Sequence, residues 1–145
     1  MKRLLFLCVS TLMFAFSATV LAQDSKAYKN GPVTNVSYIR TKPGQFNAYT
    51  KWLDGAYKKN MEAQKKAGLI VSYAIYQTQP STPQDPDLIL TVVYPNMAAL
   101  DKTDEIDAVA AAVLGSQDEQ SKATIDRGAM REVLGTRLIR ELVLK

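Results

Sequence analysis

The chain alternates between short runs rich in β-branched and aromatic residues and longer runs whose apolar positions recur every three or four residues. Val33 to Arg40 is of the first kind and predicts a strand. Lys42-Pro43-Gly44 ends it, because the residue before a proline is driven toward extended geometry. From about Gln45 to Ala67, Phe46, Tyr49, Leu53, Tyr57 and Met61 mark one face of a helix, and Gly68 suits its C-terminal cap. Gly55 weakens that helix by about 1 kcal/mol relative to alanine and points to close packing or a local bend. Leu69 to Gln79 predicts a second strand, the proline-rich stretch from Pro80 to Asp87 a loop, and Leu88 to Tyr94 a third strand. Helical sequence resumes at Asn96 to Leu100 and Ile106 to Leu114, and Gly115 interrupts it. Ser116 and Glu119 have the spacing of a capping box, which predicts a helix over Gln117 to Arg131. A last strand is expected over about Val133 to Leu144.

The resulting order, β, α, β, β, α, β with the second helical region broken, is the split βαβ pattern of α+β ferredoxin-like folds with an antiparallel sheet. Helices in such a fold lie on one sheet face, yet the predicted strands are apolar on both. Leu69, Val71, Tyr73 and Ile75 alternate with Ile70, Ala74 and Tyr76, while Leu88, Leu90 and Val92 alternate with Ile89 and Val93. A monomer would leave one row in water, so pairing of two copies through the sheet face is expected.

The start of the chain changes the picture of where this domain works. Lys2 and Arg3 precede an apolar run from Leu4 to Val20, and Val20-Leu21-Ala22 supplies compact side chains where a signal peptidase cuts. Residues 1 to 22 read as an export signal, 23 to 32 as a flexible lead, and 33 to 145 as the domain. Ser10, Thr11, Ser17 and Thr19 weaken a membrane-anchor reading. A periplasmic or secreted protein is expected, without a stable membrane anchor.

Removing that segment takes Lys2 and Arg3, leaving 16 basic against 14 acidic residues and lowering the net charge from +4 to +2. So small a balance gives no support for nucleic-acid binding. The single cysteine, Cys8, lies in the signal, so the mature domain has no disulfide. Histidine is absent, which removes histidine-activated nucleophiles, imidazole zinc sites and histidine-ligated haem.

Tyr38-Ile-Arg-Thr-Lys-Pro43-Gly44-Gln-Phe46 with Tyr49, Gly68-Leu-Ile-Val-Ser-Tyr73, and Asp87-Leu-Ile-Leu-Thr-Val-Val-Tyr94 followed by Asn96-Met-Ala-Ala-Leu100 resemble the dimeric α/β-barrel superfamily, which includes antibiotic-biosynthesis-monooxygenase-like domains. The resemblance covers about Val33 to Lys145. It implies the scaffold and its turns. No complete catalytic motif of an enzyme branch is matched, and no catalytic residue is assigned.

Such folds hold ligands between sheet and helices. Tyr38, Tyr49, Trp52, Tyr57, Tyr73, Tyr76 and Tyr94 offer aromatic lining, with Arg40, Asn47 and Asn60 as polar handles. Tyr38, Asn47, Trp52 and Tyr73 are the candidates chosen for ligand binding. Tyrosines in such elements otherwise serve as core or interface residues. Asp101, Asp104, Glu105 and Asp107 lack EF-hand spacing, and acidic residues at a helix start answer its dipole. Neither they nor Asp85 and Asp87 point to a metal site, and no cofactor is expected. Asp126-Arg127, Arg131-Glu132, Arg137, Arg140 and Glu141 read as solvated or dimer-edge ion pairs. The chain is thus expected to bind a small apolar or aromatic molecule or to play a structural or stress-related role without chemistry. The alternative is a cofactor-independent monooxygenase or isomerase acting on an aromatic small molecule.

Overall fold

The strand β1 (Tyr28–Thr41) lies inside a four-stranded antiparallel sheet with β2 (Ser72–Gln77), β3 (Leu88–Tyr94) and β4 (Arg131–Leu144), in the spatial order β2-β3-β1-β4. This is a computed structural model that describes residues 26–145. The expected export signal, residues 1 to 22, lies outside the described residues. Between β1 and β2 run α1 (Phe46–Trp52), a π-helical turn (Leu53–Tyr57) and α2 (Lys58–Lys66). Between β3 and β4 come a 3-10 turn (Met97–Asp101), α3 (Thr103–Leu114) and α4 (Gln117–Met130). The fold is α+β and ferredoxin-like, with the second helical region broken as its sequence foretold.

Several boundaries follow directly from local chemistry. Gly68, at φ +71, ends the first helical region, and Ser116 and Glu119 form the full capping box at the start of α4. Gly115 before it has φ 90 and ψ -160, a region open essentially to glycine alone. β3 occupies the expected residues.

β1 begins earlier than expected. The lead was read as irregular up to Pro32, but Tyr28, Lys29 and Asn30 pair with Leu144, Val143 and Leu142, and Gly31-Pro32 is taken up in a bulge. A polar stretch without its own period becomes a strand here because the long β4 supplies the ladder. β2 is shorter than expected: Leu69 and Ile70 are buried in the approach to the strand rather than in the ladder.

The helical run from Phe46 to Lys66 is uninterrupted but changes its winding over Leu53–Tyr57. The Lys58 N–H donates to the Leu53 carbonyl, a bond spanning five residues. An added Cβ on Gly55 would meet nothing within 4 Å, so close packing does not account for the glycine.

One sheet face carries the core. Ile39, Leu88 and Leu90 pack there against Tyr49 and Leu53 from the helices. By strand alternation and register, the opposite face presents Val36 and Tyr38 of β1, Ile89 and Val93 of β3, Ala74 and Tyr76 of β2, and Ile139 of β4. No helix covers that row. Tyr76 and Ile139 are 55% and 53% exposed. In the single chain α3 and α4 bury no residue, and β4 exposes Leu138, Leu142, Val143 and Leu144 as well. Among the described residues, no helix is long and apolar enough to cross a membrane.

Candidate functional site

A cavity forms on the helix side of the sheet because the inward row of β1 changes character midway. Val33 and Ile39 at its ends are fully buried, but Asn35 and Ser37 between them are short and polar. Opposite them on β3 stand Val92 and Leu90. The space left over these four residues is roofed by Tyr49, Trp52, Tyr57, Arg127 and Arg131, and has a volume of about 180 Å³.

The helical wall is a chain of aromatic contacts. Tyr49 and Trp52 stack with ring centroids 5.8 Å apart and planes 5° from parallel. Trp52 meets Tyr57 at 6.1 Å, and Tyr57 meets Tyr73 edge-on at 6.0 Å. Such pairs contribute about 0.5–1.5 kcal/mol beyond their buried area. Trp52 and Tyr57 are five residues apart, which on a regular α-helix would set them roughly 140° apart. The π-helical turn between them brings both rings to the cavity.

Two arginines close the other side. The Arg127 guanidinium lies 5.1 Å from the Trp52 ring centroid, and that of Arg131 lies 5.5 Å from Tyr49. Neither has a carboxylate within ion-pair distance among the described residues. Within the single chain, neither arginine joins the solvated ion-pair set that the sequence suggests. Glu132 instead faces the other side of the sheet and pairs with Arg40 at 3.8 Å. Adjacent positions on a strand point to opposite faces, so Arg131 and Glu132 cannot share an environment.

The hydroxyls of Tyr49 and Tyr57 are buried without an acceptor for their protons. Burial pushes the Tyr49 phenol up, with the charges of Arg131 and Arg127 pulling partly the other way. Burial also raises the Tyr57 phenol, and the neighbouring tyrosines add to the effect. Both remain protonated near neutral pH and present O–H donors. Burial lowers the Arg127 pKa, and the positive charge of Arg131 adds to this.

The four chosen residues do not converge. Trp52 lines the cavity. Tyr73 stands beside it, touching Tyr57 and donating its hydroxyl to Glu62 Oε1 at 2.7 Å. Tyr38 lies on the opposite sheet face under Arg137, whose guanidinium is 5.9 Å from its ring. Asn47 is exposed on α1. Asn35, Ser37, Arg127 and Arg131 had not been singled out as lining. A polar pair in the interior of a strand that is otherwise apolar on that row was the signal for the first two.

The acidic residues are employed in turns. Asp87 accepts from the Thr41 N–H at 3.0 and 3.1 Å and from the Thr41 hydroxyl, fastening the loop before β3 to the end of β1. Asp85 accepts from the N–H groups of Ser81 and Thr82, which hold its carboxyl below the usual range. Among the described residues no three acidic side chains gather as metal ligands.

Comparison with solved structures places this architecture. The fold is shared with HapK from Hahella chejuensis, at 15% identity and a TM-score of 0.50 over 76% of this chain and 92% of that one. It is shared also with a dimeric ferredoxin-like protein from an uncultured marine organism, at 12% identity and TM-score 0.50 over 81% of this chain and 90% of that one. A second such protein, likewise from an uncultured marine organism, matches at 8% identity and TM-score 0.51 over 81% and 98%. The chain has the ferredoxin-like scaffold of these proteins. No family model matches it, and no curated protein matches it in sequence.

Proposed function

We propose that this protein is an exported homodimer that binds a small aromatic molecule between its sheet and its first helical region. The observation that carries the reading is the cavity of about 180 Å³ walled by Tyr49, Trp52 and Tyr57. An apolar cavity of about 150 Å³ is enough to hold benzene. One substituted ring is therefore the scale of ligand that fits. The lining joins the aromatic wall to the polar groups of Asn35, Ser37, Arg127 and Arg131, which can orient a ligand.

Trp52 is the chain's single tryptophan and lines this cavity, so its emission is a direct reporter. Titration with single-ring aromatic compounds should give a saturable change in emission, and Ser37→Leu, which fills the cavity from its floor, should remove it. A lack of response to every compound, or an undiminished response in Ser37→Leu, contradicts the reading.

Pairing through the uncovered sheet face is supported by the row of Ile89, Val93, Tyr76 and Ile139 and by the dimeric ferredoxin-like proteins that share the scaffold. Export is supported by Lys2-Arg3, the apolar run and Val20-Leu21-Ala22. The mature protein then begins at Gln23, which N-terminal sequencing checks.

A second reading, cofactor-independent oxygenation or isomerisation of an aromatic substrate, draws on the position of Trp52 in the cavity wall. The lining has no carboxylate or histidine, and its tyrosines are raised away from neutrality, so it offers no general base suited to neutral pH. Binding is the better supported role.

A further inference from the structure

We propose that the ligand is a single-ring aromatic acid whose carboxylate is held by Arg127 and Arg131, an inference that rests on the reading of the cavity as a ligand site. Every ionisable group of fixed charge on the lining is positive: two guanidinium groups and no carboxylate. Among the uncharged polar groups of the lining, the two tyrosine hydroxyls add further donors. The hydroxyls of Tyr49 and Tyr57 are buried with nothing to donate to, and an unpaired buried donor is costly.

The charges that might have compensated the arginines are committed elsewhere. Asp87, whose charge is felt at Tyr49, is bound to Thr41 by its backbone N–H and hydroxyl. Glu132 pairs with Arg40 on the opposite face. The negative end of α4 favours cations near its last turn, but the Met130 carbonyl there already accepts from the Lys42 N–H at 2.9 Å. Arg127 and Arg131 also stand near enough for the charge of one to act on the other, and each guanidinium stands over an aromatic ring. An anion between them relieves their mutual repulsion and supplies the acceptor that the tyrosine hydroxyls lack.

The apolar and aromatic part of the lining favours an organic carboxylate over a bare inorganic anion. Guanidinium groups present parallel N–H donors that match two carboxylate oxygens. The remaining space over Leu90 and Val92, beside the Trp52 ring, is apolar and takes the ring. The volume limits the ligand to about one ring with a short acid-bearing substituent, by comparison with the benzene-sized cavity.

The test uses the mature full-length protein and two matched pairs, benzoate with benzamide and phenylacetate with phenylacetamide, followed by Trp52 emission and by calorimetry. At least one acid should bind ten-fold or more tightly than its amide. Arg127→Gln and Arg131→Gln should each weaken the acid by ten-fold or more while leaving the amide within about two-fold, a pattern that a folding defect would not give. Equal binding of acids and amides, with no effect of either arginine substitution, overturns the acid assignment and leaves the aromatic cavity standing. Inorganic phosphate displacing the acid without any effect of its ring overturns the aromatic part and identifies a plain anion site. If neither acids nor amides perturb Trp52 or release heat, the cavity reading falls and the acid assignment falls with it.

Discussion

Trp52 and Tyr57 hold their rings 6.1 Å apart although five residues separate them in one helical segment. That spacing is out of phase with an α-helix and in phase with the π-helical turn over Leu53–Tyr57. The turn sets the cavity wall, and Gly55 at its centre lets the backbone change its winding without a side chain to accommodate.

Gly55→Ala therefore tests how the turn is held. Space around the missing Cβ is open, and the backbone φ there is negative. Alanine should raise stability by about 0.4–1 kcal/mol by reducing the freedom of the unfolded chain. Urea unfolding with Trp52 as probe measures it. A loss of more than about 1 kcal/mol would show that glycine is required by the π geometry itself, on the same scale.

Gly115 and Gly68 should respond differently to the same substitution. Gly68 has φ +71 with open space around it, whereas Gly115 has φ +90, and its added Cβ would run into the Glu119 carboxylate. Gly68→Ala should cost about 1–2 kcal/mol, the usual left-handed penalty. Gly115→Ala should cost more, because it adds a disruption of the α4 capping box to a glycine-only conformation. Thermal melts of the two variants should fall in that order, and the reverse order would contradict the account of the cap.

The same cap gives a pH dependence with a defined sign. Glu119 accepts from the Ser116 N–H at 2.7 Å and hydroxyl at 2.9 Å, which holds its carboxyl below the usual range. A carboxyl depressed in the folded state contributes stability that is complete above the unfolded pKa of about 4.3. That contribution fades as pH falls through the folded value. The stability difference between the wild type and Glu119→Gln should be constant from neutral pH to about 5 and shrink below about 4. A difference that grows on acidification would reverse the sign and refute the assignment.

How far the sequence disclosed this architecture depended on whether a local signal decided the matter. The capping box of Ser116 and Glu119, the turn at Gly68 and the bounds of β3 are written in nearest-neighbour chemistry and were legible. The cavity was not, because it depends on which of two apolar strand rows faces the helices. Val36 and Tyr38 compete with Val33 and Ile39 for that role, and nothing local separates them. Choosing the wrong row takes Tyr38 for a lining residue and misses Ser37. Arg127 and Arg131 were hidden in another way: they read as part of a solvated or dimer-edge ion-pair set, and only the passage from α4 into β4 brings both guanidinium groups to one cavity. The π-helical turn that recruits Trp52 beside Tyr57 leaves only Gly55 as its trace.

The uncovered sheet face gives a prediction about assembly. Ile139, 53% exposed in the single chain, lies on the proposed contact face. Ile139→Lys should shift the protein from dimer toward monomer in sedimentation at micromolar concentration, since an unpaired charge is costly to bury. The Trp52 emission should stay unchanged because the cavity lies on the other face. Retention of the dimer without loss of affinity would place the contact elsewhere.

The most direct test of the central claim is native mass spectrometry of the mature protein purified from its own host, beside the cavity-filled Ser37→Leu variant. The account predicts a dimer of chains beginning at Gln23 that carries one small organic adduct per subunit in the wild type and none in Ser37→Leu. A wild-type protein free of adduct that takes up no aromatic compound when these are supplied, or an adduct that survives filling of the cavity, would contradict it.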